Sequence, residues 1–294
     1  MEKSKVYFTR EITPKSLIKM YETLGIELKG KVAVKLSTGE PGGHHFLDAN
    51  LIKDLVHKVN GTIVECNTAY GGGRDKSEDH WKAIKNHGFM DIASVDIMDE
   101  EGDMAIPVEN GFHLKEDYVG AHLKNYDSML VLSHFKGHAM GGFGGTLKNI
   151  SIGIGSSRGK LWIHSAGKST NQAEVWSHLP EQDDFLESMA DASRGVIDYM
   201  GKENMVYISI ANNLSVDCDC DANPHAPEMD DLGIFASTDP VALDQACYDA
   251  VINAEDLGKA ALIERMNSRH GIHTVEAANK LGLGNREYEI VNID

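Results

Sequence analysis

The sequence predicts an α/β fold, with a mainly parallel sheet flanked by helices on both faces. Three observations carry this expectation. Short apolar runs alternate with amphipathic stretches of helical spacing from the first residues onward. Glycine-rich segments follow several of those runs. Hydrophobic residues make up 41% of the 294, enough to build a core. A strand–helix–strand alternation implies crossovers that lay successive strands parallel and cover the sheet with helices.

Lys5–Phe8 reads as a short first strand. Thr13 is placed to cap a helix over Pro14–Leu24, with Leu17, Ile18, Met20, Tyr21 and Leu24 at helical spacing. Lys31–Leu36 alternates as a strand and breaks at Ser37–Gly43. Asp48–Val59 is an amphipathic helix and Thr62–Cys66 the next strand. The loop after it, Asn67–Arg74, holds three consecutive glycines, and Arg74 is a candidate anion ligand at the mouth of a site. Glu78–His87 reads as a helix, Ile92–Met98 as a strand, and Ser128–Ser133 as a buried strand. Ser165–Asn171 lacks periodicity and reads as a loop. Helices are expected over Asp184–Met200, from Asp239-Pro240 to Val251, over Leu257–Arg265 and over Thr274–Leu281. Strands are expected at Met205–Ile210, Gly233–Ala236 and Tyr288–Val291. The expectation is one domain over residues 1–294, any division into two lobes falling near 165–180.

The stretch richest in chemistry is Val131–His164. It holds three histidines, three lysines, an arginine, eight glycines and no carboxylate. If the strand at Ser128 continues, its period of two puts His134, Lys136 and His138 on one face. Gly141–Gly145 then lets backbone approach a ligand, and Thr146–Asn149 begins a helix whose N-terminus favours an anion. Gly144, Gly145, Lys148 and Arg74 are therefore expected to bind an anion. Lys136 and Lys148 are candidates for acid–base work if burial lowers a pKa.

A second stretch, Asp217-Cys-Asp-Cys-Asp221, carries two cysteines at i and i+2. On an extended chain both face the same way, and a disulfide between them closes a very small ring. Free thiols are expected, a pair of soft donors for a metal. One divalent ion would be held by Cys218, Cys220 and one or more of His134, His138 and His164, with His225 as a further ligand. The three aspartates should raise the thiol pKa values unless a cation is present. Cys66 and Cys247 read as core residues.

The formal charge of −17 argues against nucleic acid and anionic membranes as partners. The first residues lack the apolar region of a signal peptide, and no stretch approaches a spanning helix. The four cysteines show no disulfide framework, so a reducing, cytoplasmic location is expected. Neither glycine loop matches a phosphate-binding P-loop or a dinucleotide fingerprint, which leaves a nucleotide binder as the weakest reading.

Four segments together resemble the DUF362 family, prokaryotic proteins of unknown function that often carry ferredoxin-type iron–sulfur modules. They are Asn67–Arg74 with His80 and His87–Phe89; Lys136–His138 with Gly145–Asn149; Gly159–His164; and Asp217–Cys220 with Ile234–Asp244. The resemblance implies an α/β fold and a cytoplasmic, often anaerobic setting. It makes Lys136, His138, Lys148, His164, Cys218 and Cys220 the matching positions, with no roles attached. The cluster insert would follow His164, but Ser165–Pro180 contains no cysteine, so no iron–sulfur cluster is expected. Two functions compete. One is a metal-binding enzyme acting on a small carboxylate or phosphate. The other is a cluster-less docking module of a redox system that partners a separate ferredoxin. A homo-oligomer is compatible with either.

Overall fold

The computed structural model describes residues 3–294. The elements are β1 (Ser4–Thr9), α1 (Pro14–Thr23), β2 (Val32–Lys35), α2 (Ala49–Lys58), β3 (Gly61–Glu65), α3 (Ser77–Asn86), β4 (Val95–Ile97), β5 (Asp103–Pro107) and β6 (Glu116–Gly120). Then come β7 (Ser128–His134), β8 (Lys136–His138), β9 (Gly142–Gly144), α4 (Thr146–Ile150), α5 (Ser157–His164), α6 (Gln172–Ser177) and α7 (Gln182–Met200). The chain closes with β10 (Met205–Ala211), β11 (Gly233–Ser237), α8 (Pro240–Asn253), α9 (Lys259–Ser268), α10 (His273–Lys280) and β12 (Tyr288–Asn292).

Eight strands form one sheet in the order β12-β1-β11-β10-β7-β2-β3-β4. The run β10-β7-β2-β3-β4 is parallel throughout, and β11 is antiparallel to both of its neighbours. The strand period of two sorts the side chains. Val34, Leu130, Leu132 and Ile208 face α1 and α2, packing with Leu17, Met20, Ile52 and Leu55. Ala33, Met129, Val131 and Tyr207 belong to the opposite core, with Leu147, Ile150, Val196 and Leu243 from α4, α7 and α8. Burial on both faces is why these strands read as nearly unbroken apolar runs.

Local signals fix the helix starts. Thr13 and Ser16 form a reciprocal cap on α1, with Pro14 at its first position. The Asp239 carboxylate accepts from the Val241 and Ala242 amides at the start of α8. No described helix is long and apolar enough to cross a membrane.

The structure differs from the expectation at one place that matters. β7 stops at His134, and Lys136–His138 instead pairs antiparallel with Gly142–Gly144. The Phe135 amide still bonds to Ile210, but the Gly137 amide bonds to Ser215. Here the chain runs so close to residue 216 that a Cβ on Gly137 would lie 2.2 Å from the Val216 carbonyl oxygen. The glycine permits that approach, and the sheet ladder ends there. The β5–β6 hairpin and α6 were also not expected.

Candidate functional site

From β2 the chain winds to β3 and β4 on one side, whereas β7 and β10 lie on the other. The switch between β2 and β7 leaves a crevice at the carboxyl ends of parallel strands, the usual ligand position in such sheets. Lys35, Glu65 and His134 stand at the ends of β2, β3 and β7. They help line a cavity of about 460 Å³. Lys136, His138, Lys148 and His164, the Cys218–Asp221 loop, Gly144, Gly145 and Arg74 line it too. Thus the structure brings the site residues read from the sequence, His225 excepted, to one cavity, but it gives them partners that the sequence did not reveal.

Arg74 is buried in the wall rather than exposed at the mouth. Its Nε donates to Glu40 Oε2 at 3.0 Å and an Nη to Glu65 Oε1 at 2.7 Å. Glu65 also accepts from the Thr38 amide at 3.0 Å and contacts His80 Nε2 at 3.2 Å. Burial raises the Glu65 pKa, but Arg74 and His80 outweigh it and hold the carboxyl well below its ordinary range. The guanidinium is already engaged by the chain's own anions.

The second ion cluster centres on Asp219. Its carboxylate meets His134 Nδ1 at 3.1 Å and abuts the Lys136 ammonium. His134 Nε2 donates to the Asn212 carbonyl at 2.6 Å. With both ring nitrogens engaged, His134 has no lone pair left for a metal in this arrangement. His225 is exposed and bonds to Asp217, which also receives Arg265 at 3.1 Å, so it does not complete the expected ligand set.

The expected anion position at the start of α4 is filled from within. Asp244 of α8 accepts the Thr146 amide at 2.7 Å and the Leu147 amide at 2.9 Å. A Cβ on Gly145 would lie 2.5 Å from that carboxylate. The glycine therefore admits Asp244 to the helix start. Burial pushes the Asp244 pKa up to about 6, against the pull of those amides.

Two histidines are neutral and differ in the proton they carry. His164 donates from Nδ1 to the Lys160 carbonyl at 2.6 Å, which leaves the lone pair on Nε2. Its ring lies between Phe185 and Trp176, centroids 4.9 and 5.2 Å away, and burial lowers its pKa to about 4. His138 Nδ1 instead accepts the Gly141 amide at 2.8 Å and the Met140 amide at 3.2 Å. Burial first, and Lys148 second, hold its pKa well below 6.5, so its proton sits on Nε2.

Three lysines of the cavity lack a carboxylate partner among the described residues. Lys35 Nζ donates to the Leu36 carbonyl at 2.8 Å and Asn149 Oδ1 at 2.9 Å, and Lys160 Nζ to the Gly155 carbonyl at 2.6 Å. Lys148 makes no hydrogen bond or ion pair among the described residues, and burial lowers its pKa to about 8. Burial lowers that of Lys35 to about 8 as well. Sequence reasoning missed Lys35 and Lys160. The signal for Lys35 was present: it closes a strand, Val32–Lys35, that is buried along its whole length.

Cys218 and Cys220 are joined in a disulfide, not free as expected. The segment turns instead of running extended: the Asp221 amide bonds to the Cys218 carbonyl at 3.0 Å, and the Cα atoms are 5.2 Å apart, within ordinary disulfide range. Cys66 and Cys247 are buried and unpaired, as expected. Ligand atoms of His138, Cys218 and Cys220 lie within 4.8 Å of one another, as do those of Asp183, His270 and His273, and of His113, Asp184 and Glu187. In the first group the sulfurs are bonded together and the imidazole lone pair accepts two amides, so it does not fit an ion without rearrangement.

Among solved structures, the lactate racemase apoprotein from Thermoanaerobacterium thermosaccharolyticum is similar at 12% identity and TM-score 0.49, covering 84% of this chain. A protein from Thermotoga maritima is similar at 16% identity and TM-score 0.43, covering 81% of this chain. This chain spans 57% of the length of each. No protein of curated function matches the sequence. The model of a domain of unknown function, DUF362, matches residues 32–249, which takes in the parallel strands β2, β3, β4, β7 and β10, the lysines and histidines of the cavity and the cysteine pair. The chain belongs to the DUF362 family.

Proposed function

We propose that this chain is an enzyme acting on a small carboxylate- or phosphate-bearing substrate held in the cavity between β2 and β7. Lys148 is the charge partner and proton donor, and His164 the proton acceptor. The observation that carries this reading is the uncommitted Lys148 ammonium. Arg74 and Lys136 face carboxylates, and Lys35 and Lys160 donate to protein oxygens. Lys148 has neither kind of partner among the described residues. Lys148 is half-buried, and an anion from solution offsets the cost of leaving its partly desolvated ammonium unpaired.

The two groups suit opposite halves of a proton transfer. Lys148, lowered to about 8, is mostly charged at neutral pH yet can release its proton. His164, lowered to about 4, keeps its Nε2 lone pair free to accept one. Lys136, locked against Asp219, serves as a fixed charge. After reduction of their disulfide, Cys218 and Cys220 would be the donors to a divalent ion.

The alternative, a docking module for a separate ferredoxin, has less support. In the 165–180 segment, Leu179 is the large apolar side chain that stands exposed among the described residues.

The test is a thermal-shift and calorimetric screen of small carboxylates and phosphates on the wild type and Lys148→Ala. The expected result is an anion that stabilises the wild type and loses on the order of 2–5 kcal/mol of affinity in the variant, as for one partner of a desolvated charge pair. An equal response from both proteins would sink the assignment.

A further inference from the structure

We infer that Cys218 and Cys220 form a reversible dithiol–disulfide centre that exchanges two electrons with a low-molecular-weight thiol inside the cavity. Neither the anion site nor Lys148 is needed for this.

The first support is position. A structural cross-link between residues two apart ties down almost no chain, since the entropy removed grows with loop length. This pair instead lines the cavity, in reach of a small molecule. Cys218 is buried and Cys220 half-buried, which favours a small reactant over the face of another protein.

The second support is charge. The sequence suggested that three aspartates would oppose a thiolate here. Two of them are offset: Asp219 by His134 and Lys136, and Asp217 by Arg265 and His225. The field that would raise the thiol pKa values is therefore largely cancelled.

The third support is asymmetry. The Cys220 amide points at Cys218 Sγ, 3.2 Å away. That donor stabilises negative charge on Cys218. A ring nitrogen of the neutral His138 lies within 4.8 Å of both sulfurs.

The order of bond changes follows. The thiolate of the reductant attacks Sγ of the more accessible Cys220, a mixed disulfide forms, and the electron pair of the broken S–S bond leaves on Cys218 Sγ, beside the Cys220 amide. A second reductant thiolate then attacks the sulfur of the first, releasing Cys220. The balance is two thiols oxidised to one disulfide, and two protons and two electrons delivered to the pair.

The experiment uses the full chain and needs no substitution. Protein is equilibrated anaerobically with set ratios of reduced to oxidised glutathione, quenched in acid, unfolded, and labelled with maleimide. The chain has four cysteines, two of them in the disulfide. The expected count is two thiols per chain under oxidising ratios and four under reducing ratios, interconverting, with the change mapped to Cys218 and Cys220. Four thiols at every ratio, or two even in excess thiol, would overturn the proposal. So would reduction that requires a protein dithiol and does not proceed with glutathione. The order of attack is read by acid-quenching the oxidised protein early in its reaction with reduced glutathione and mapping the mixed disulfide. The adduct should sit on Cys220, and an adduct mainly on Cys218 would refute the asymmetry. Because the same count is repeated with uncharged dithiothreitol as the reductant, failure here is separable from failure at Lys148.

Discussion

Arg74→Met is the perturbation that best separates a structural cation from a ligand-binding one. The side chain is 2% exposed, and its two carboxylates, Glu40 and Glu65, are 3% and 6% exposed. Methionine keeps much of the volume and removes the charge. Glu40 and Glu65 are then left buried, close together and without the guanidinium. Breaking a buried pair by removing one partner costs about 3–5 kcal/mol. We expect a loss of that size in urea unfolding at pH 7, seen as a lower midpoint with an unchanged slope. The double variant Arg74→Met/Glu65→Gln should recover part of it, because one stranded charge is gone. The pH dependence has a definite sign. The folded-state pKa of Glu65 lies below its unfolded value of about 4.5, so its stabilising contribution is complete above that pH and is lost on acidification through the folded value. Without Arg74 that acid-side loss should shrink. If Arg74→Met unfolds within about 1 kcal/mol of the wild type, yet loses its response to anions, Arg74 is a ligand residue and the reasoning fails.

Asp244→Ala should cost about 2–6 kcal/mol in the same assay, since it orphans the two buried amides at the start of α4 at about 1–3 kcal/mol each. Asp244 also has a folded pKa raised from 3.8 to about 6, so the folded state holds a proton that the unfolded state has lost. Its contribution to stability should fall as pH rises across that window and then level off, and Asp244→Asn should abolish that slope in unfolding measured from pH 4 to 7. For Lys148, anion affinity should weaken as pH rises through about 8, where the ammonium deprotonates. Lys148→Arg should bind without that fall, as calorimetry between pH 7 and 9 would reveal.

The architecture was legible because its signals are local. Thr13 with Pro14, and Asp239 with Pro240, announce helix starts within a few residues, and the apolar runs of a twice-covered sheet announce strands. The place of the site was legible for a related reason: histidine, lysine, glycine and cysteine crowd segments that otherwise read as core. The chemical state of each residue was not. His134 looked like a metal ligand until its partner Asp219, 85 positions away, took one ring nitrogen. Arg74 is claimed by Glu40, 34 positions earlier, and the Thr146 amide by Asp244, 98 positions later. No periodicity encodes such pairings. The break after His134 escaped notice because it depends on contact between Gly137 and the strand-end segment at Val216.

The cysteine loop closes the cavity by docking on distant chain. The Glu40 amide bonds to the Asp219 carbonyl at 2.7 Å, and the Tyr70 hydroxyl to the Cys220 carbonyl at 3.1 Å. Contacts of such long sequence separation form late, because the loop-closure entropy is spent before they reward it. During synthesis the histidines and Lys148 leave the ribosome well ahead of residues 217–222. Until that loop arrives, Lys136 lacks its partner Asp219 and the cavity is open on that side. The Cys218–Cys220 bond spans only three residues, so it can close in the nascent chain, before any of its long-range neighbours is in place. Oxidation of the pair and assembly of the cavity are thus separate kinetic events, and a chain can complete either one without the other.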